Sequence, residues 1–279
     1  MFLKIYRYVN ILSIDVVLGA CVNSWLVSKV LSLDIPLSSI IGLAVCVWLI
    51  YTADHLIDAY QIKHRANTKR HFFHQKFFSA LSLCFVVILF CGIINVWFLP
   101  RSTQLWGCII SLIAILYLIF IAGLKISLGN VKEIFIAAIY TITIFMVPLS
   151  SDPGSWHPLI LVVFLQLFLL AFLNLLIFSL LDKSSDQTDD HRSLVRMMGA
   201  ELSHRIICFS LILLFFSFFL ALSFLEADPI FQYTEIIYLA MALVLFCIYW
   251  KRSKFSKNEN YRLWGDLVFL FPLILIFVL

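Results

Sequence analysis

Along this chain the apolar residues do not alternate with polar ones at a surface-helix or strand period. They run on in long stretches, separated by short polar joints. A bilayer core of about 30 Å takes about 20 apolar residues of helix, so each run is long enough to cross a membrane. The runs predict nine spans, near residues 11–31, 36–60, 77–99, 103–124, 131–149, 158–182, 205–225, 230–250 and 262–279. Pro36, Pro100, Pro148, Pro153, Pro158 and Pro229 all fall at proposed ends, where a missing N–H costs no interior hydrogen bond. Lys4 and Arg7 precede the first run, but the run holds Asp15 and lacks a small-residue cleavage site. It reads as a retained helix and not as a signal peptide. The expected fold is an all-α integral membrane protein, nine transmembrane helices in one bundle around a central cavity. We expect one domain over 1–279, with related parts near 1–130 and 131–279.

Composition agrees with the pattern and narrows it. Of 279 residues 63% are hydrophobic and 13% charged, against roughly 25% charged in soluble domains. Too little polar surface remains to cover a soluble core, and a disordered or collagen-like chain is excluded as well. The seven cysteines form no CxxC pair and read as small apolar residues, not as disulfides or zinc ligands. Counting Lys and Arg over alternating joints places 18 of the 20 on one side, leaving Lys29 and Arg101 for the other. By the positive-inside rule the N-terminus and four basic loops are cytoplasmic and the C-terminus is outside, as in a multi-pass protein of a bacterial inner membrane. Nothing in the pattern points to nucleic acid.

Carboxylates are scarce in such a chain, so where they stand carries information. Tyr51-Thr52-Ala53-Asp54-His55-Leu56-Ile57-Asp58 puts two aspartates four residues apart at the cytoplasmic end of the second span, on one helix face. Asp182 and Asp186 repeat the spacing at the same end of the sixth span. A single DxxxD is a weak signal, since a solvated helix end with a neighbouring cation gives the same pattern. Two on similarly oriented helices make a stronger one, because carboxylates next to hydrocarbon are costly. If unpaired, these acids crowd one pocket, and Mg2+ carrying a diphosphate would neutralise them. Cations for the phosphates follow each pair: Lys63, Arg65, Lys69 and Arg70 after the first, Lys183, Arg192 and Arg196 after the second. Individually these cations also serve topology or anionic lipid. Tyr51 shares the face of Asp54 and Asp58, while Gln166, Asn174 and Asp182 share another, where helix-to-helix hydrogen bonding is the competing use. Asp15 needs an interior partner. His71 and His74 carry little weight as a metal pair, and Asp189 to Arg192 reads as a solvated loop.

These motifs resemble the UbiA superfamily of intramembrane prenyltransferases, whose members have nine transmembrane helices and aspartate-rich motifs on the second and sixth. Asp54 and Asp58 are similar to the last two acids of its NDxxDxxxD motif, and Arg65, Thr68 and Arg70 resemble the Arg/Thr/Arg loop after it. Asp182, Asp186, Ser193, Leu194 and Gly199 resemble the second motif, and Lys125 is similar to a basic residue ending the fourth helix. Ile50-Tyr51 stand where the family has Asn-Asp, and His71 where it has proline. The resemblance spans nearly the whole chain by topology, with specific residues only in these segments. It implies transfer of a prenyl group from a polyprenyl diphosphate to an aromatic or other lipophilic acceptor within membrane lipid. Asp54, Asp58, Asp182 and Asp186 would be catalytic as Mg2+ ligands. Tyr51, Arg65, Arg70, Lys125, Asn174 and Arg192 would bind substrate, and the lost Asn-Asp implies weaker Mg2+ affinity. A membrane terpene cyclase needs the same site and stays open, as does a non-catalytic isoprenoid binder or transporter. Against transport, the two acidic helices share one orientation and are not inverted.

Overall fold

A computed structural model describes residues 2–123, 132–152, 154, 158–188, 193–222 and 228–277, and among them the chain is helical with no strand. Eight helices are long and apolar enough to cross a membrane among the described residues, and the count reaches nine if a bent pair at the start is one span. The protein is therefore a multi-pass integral membrane protein. The bent pair is α1 (Phe2–Ile11) and α2 (Ile14–Val30), which meet at 76° through Ser13, whose φ is 56°. Only α2 coincides with the first predicted span. α1 is a separate amphipathic helix that packs on the end of the chain, with Tyr6 Oη donating to the Leu263 carbonyl (3.2 Å).

After α3 (Leu37–Gln61) the first basic joint contains a short helix, α4 (Lys69–Lys76), which hydropathy did not predict. Thr68 caps it by accepting from the His71 N–H at 3.3 Å. α5 (Phe78–Val96) and α6 (Arg101–Gly123) follow, then α7 (Lys132–Ser151) and α8 (Pro158–Thr188). Pro148 lies inside the last turn of α7 and not at its end. α9 (Leu194–Leu222) starts well before the predicted span and kinks at Gly199, whose φ of 81° and ψ of 161° suit only glycine. Pro229 opens α10 (Pro229–Trp250) beneath an Asp228 cap, whose Oδ1 accepts from Ile230 N–H at 2.9 Å. The chain ends with α11 (Arg252–Phe255), a 3₁₀ turn (Lys257–Glu259), α12 (Asn260–Leu267) and a 3₁₀ helix (Val268–Phe277) interrupted by Pro272.

Helix burial follows position in the bundle. In α7 and α8, 61% of the apolar window is buried, against 6% in α5, which keeps only Leu81 inside. α8 is the central post, packed by α7, α9, α10 and α12, and its Leu167, Leu170, Leu173 and Leu176 are fully enclosed. α5 and α6 pack mainly on α3 and α7 and leave many Leu, Ile and Phe side chains exposed on their outer faces. Where chains cannot gain from leaving water, such packing and interhelical hydrogen bonds hold the bundle. Gln166 is one of these: its Nε2 donates to Glu235 Oε2 at 2.8 Å, tying α8 to α10.

Candidate functional site

The ends of α3 and α8 that carry the aspartates, the start of α7 and the helix α12 border a cavity of about 150 Å³, with α4 along one side. Helix register supplies its walls. On α3 the i, i+3, i+4, i+7 set Tyr51, Asp54, His55 and Asp58 turns inward, and on α8 the i, i+4, i+8 set Asn174, Phe178 and Asp182 does the same. Arg70 and His71 enter from α4, Lys132 and Glu133 from the first turn of α7, and Arg262 and Asp266 from α12. Asp54, Asp58 and Asp182 thus open on one space. Asp186 lies one turn further along α8, and its side chain falls outside the described residues, as do Lys125 and Arg192.

The acids are not the unpaired crowd that the sequence suggested. Lys132 Nζ is 2.9 Å from Asp54 Oδ1 and 3.2 Å from Asp58 Oδ2. Asp182 takes the Arg262 guanidinium and the Tyr261 hydroxyl. Arg70 pairs with Asp266 at 3.4 Å and also donates to the Asn10 carbonyl at 3.3 Å. Asn10 Nδ2 donates to both Asp266 Oδ2 (2.8 Å) and Asp15 Oδ2 (2.7 Å), and Tyr6 completes the partners of Asp15 at 3.2 Å. Enclosed carboxylates near lipid require such neutralisation, and the chain supplies it from its own loops.

Tyr51, Arg70 and Asn174 all line the cavity, and Asn174 Nδ2 donates to Asp266 Oδ1 at 3.2 Å. Arg65 does not: it is exposed in the irregular stretch before α4, its guanidinium 4.4 Å from the centre of the Phe72 ring, a stacking that planar guanidinium favours. Close packing holds Asn174 in place, since a Cβ on Gly265 would meet its Oδ1 and stand 2.7 Å from Phe178 Cζ. The two histidines given little weight are both enclosed. His71 Nε2 is 3.8 Å from Asp58 Oδ2, and the ligand atoms of His55, Asp58 and His71 lie within 4.8 Å of one another. His74 Nδ1 meets the Arg70 carbonyl at 2.9 Å, and burial holds its imidazole below the usual histidine range. Sequence reasoning missed Lys132, Tyr261, Arg262 and Asp266 as site residues. Of these only Asp266 left a signal, as an acid inside an apolar run. On the other side of α3 a second, apolar cavity of about 410 Å³ lies among α3, α5, α6 and α7; Ile50 faces it, while Tyr51 faces the acids.

No protein-family profile matches the chain, and no curated protein matches it. Solved structures do. A UbiA homologue from Archaeoglobus fulgidus bound to DMAPP and Mg2+ superposes with a TM-score of 0.64 at 13% identity, over 98% of this chain and 99% of that one. A UbiA homologue from Aeropyrum pernix without ligand gives 0.64 at 14% identity, over 94% and 98%. A digeranylgeranylglyceryl phosphate synthase gives 0.57 at 13% identity, over 97% of both chains. At these identities the likeness is one of architecture, and it runs almost end to end. The chain has the UbiA fold.

Proposed function

We propose that the protein is an intramembrane prenyltransferase that moves a prenyl group from a polyprenyl diphosphate to an aromatic or other lipophilic acceptor, with Mg2+. The observation that carries this reading is the meeting of Asp54 and Asp58 from α3 with Asp182 from α8 on one cavity, together with Lys132, Arg70 and Arg262. Three carboxylates from two helices are hard oxygen donors of the kind Mg2+ takes, so the residues fit the ion. Mg2+ held there would carry diphosphate charge and stabilise it as a leaving group. Arg70 and Arg262 offer planar N–H forks to phosphate oxygens. Tyr51, Tyr140 and Phe178 line the same cavity, and aromatic rings there would stabilise an allylic cation. As the allylic C–O bond breaks, its electron pair leaves with the diphosphate. The acceptor then forms the new bond at the allylic carbon and gives up a proton. Cytoplasmic placement of this end follows from the Lys and Arg distribution.

The test is incubation of purified protein with geranyl and longer prenyl diphosphates and Mg2+, measuring diphosphate release and analysing the lipid products. Acceptor-dependent release with a prenylated product supports the transferase. Release without acceptor, giving a cyclic hydrocarbon, identifies a cyclase instead, and binding without release in any mixture identifies a passive isoprenoid binder.

A further inference from the structure

Lys132 stands at the first position of α7 and bridges two carboxylates of another helix, 2.9 Å from Asp54 and 3.2 Å from Asp58. One cation shared by acids at i and i+4 is the arrangement in which a divalent ion would be held. The Lys132 side chain is 12% exposed and those of its partners 14% and 5%, so this is an enclosed contact and not a surface pair loosened by water. Tyr51, on the same face, brings a phenol to the cavity and no third carboxylate.

We propose that Lys132 is a tethered cation that takes the place of one divalent ion in the diphosphate site, so that this chain binds a prenyl diphosphate with a single Mg2+. The inference rests on the prenyl diphosphate reading above. An ammonium has three N–H donors, and with two directed at Asp54 and Asp58 the third is left for a phosphate oxygen. A divalent ion approaching the same pair meets a fixed like charge at contact distance, which closes a position there and leaves the single Mg2+ to the Asp182 side of the cavity. His55 and His71 come near Asp58, but Lys132 and Arg70 already bring two positive charges to that corner, which disfavours a metal among them.

The experiment uses the full-length protein in detergent with a non-hydrolysable geranyl thiodiphosphate, titrated with Mn2+ in place of Mg2+ and followed by electron paramagnetic resonance. Wild type is expected to bind one Mn2+ per analogue, with an uncoupled spectrum. Lys132→Met is expected to bind a second ion and show spin coupling between the two. Lys132→Met combined with Asp54→Asn removes one charge of each sign and is expected to return to a single ion. A coupled pair in wild type overturns the role of Lys132 and leaves the prenyl diphosphate reading standing. Unchanged stoichiometry in Lys132→Met overturns it too. If that variant does not fold, the wild-type spectrum decides alone. Absence of any analogue-dependent Mn2+ signal in wild type removes the diphosphate reading and this inference together.

Discussion

Two aspartates of the same site should respond unequally to the same substitution. Asp54 and Asp58 share one ammonium, so Asp54→Asn leaves Lys132 paired one-to-one with Asp58 at 3.2 Å and removes a like-charge neighbour. Its loss of one charged hydrogen bond is largely offset, and we expect a change within about 1 kcal/mol. Asp182 is the carboxylate in contact with Arg262 among the described residues, and their side chains are 8% and 13% exposed. Asp182→Asn strands that guanidinium in an enclosed site. Losing one partner of a buried pair costs about 3–5 kcal/mol, and because the amide oxygen still accepts from Arg262 while its NH2 donates to the Tyr261 hydroxyl, the low end, about 3 kcal/mol, is expected. At about 2–4 °C per kcal/mol for chains of this size class, Asp182→Asn should melt about 6–12 °C below wild type and Asp54→Asn within about 4 °C of it. Thermal unfolding in detergent can be followed through emission of the seven tryptophans. Equal shifts for the two variants would refute the reasoning, since they would mean that both acids are paired alike.

Further outcomes follow from other parts of the structure. Gly265→Ala pushes a Cβ against Phe178 and Asn174, and overpacking of this kind costs about 1–3 kcal/mol, read as a lowered melting temperature. Burial lowers the pKa of His74, so the unfolded chain takes up the proton first; stability is present at neutral pH and falls as pH drops through about 6.5. His74→Gln should flatten that fall in unfolding measured between about pH 7.5 and 5.5. Tyr51→Asp returns a carboxylate to the cavity wall and should tighten Mn2+ binding in the presence of a diphosphate analogue; unchanged affinity would show that position 51 does not reach the ion. A reporter fused after Leu279 should be active only outside the cytoplasm, and cytoplasmic activity would overturn the assigned orientation.

Much of the bundle could be read directly because hydropathy reports a span independently of what the span packs against. α1 and α4 could not. They are 10 and 8 residues long, too short and too polar to stand out from the joints, and their inward faces exist only because the bundle is there to receive them. The motif aspartates were visible because an acid in an apolar run is expensive. Their partners were not, because a loop lysine or arginine has many solvated uses and only tertiary packing selects one. Lys132 meets acids on α3, and Arg262 meets Asp182 on α8. Arg65 and Arg70 looked equivalent as neighbouring cations. The helical phase of α4 turns Arg70, His71 and His74 inward together, whereas Arg65 precedes that helix and stays at the surface.

The 3₁₀ helix over Val268–Phe277 changes how far the last segment reaches. At about 2.0 Å per residue instead of about 1.5 Å, its ten residues extend about 20 Å and not 15 Å. With the eight residues of α12 it traverses about 32 Å, roughly a full bilayer core, where an α-helix of the same residues would stop near 27 Å. Three residues per turn also stack Phe269, Pro272 and Leu275 into one straight buried row. That row lies along α2, where Asn23 Nδ2 donates at 2.9 Å to the Phe269 carbonyl that Pro272, lacking an N–H, cannot serve. The extra reach lengthens the segment that follows the turn bearing Arg262 and Asp266, a turn that lies with the acids on the cavity. A single residue inserted after Asp266 would rotate this row by about a third of a turn and move Phe269, which also lines the aspartate cavity, off α2.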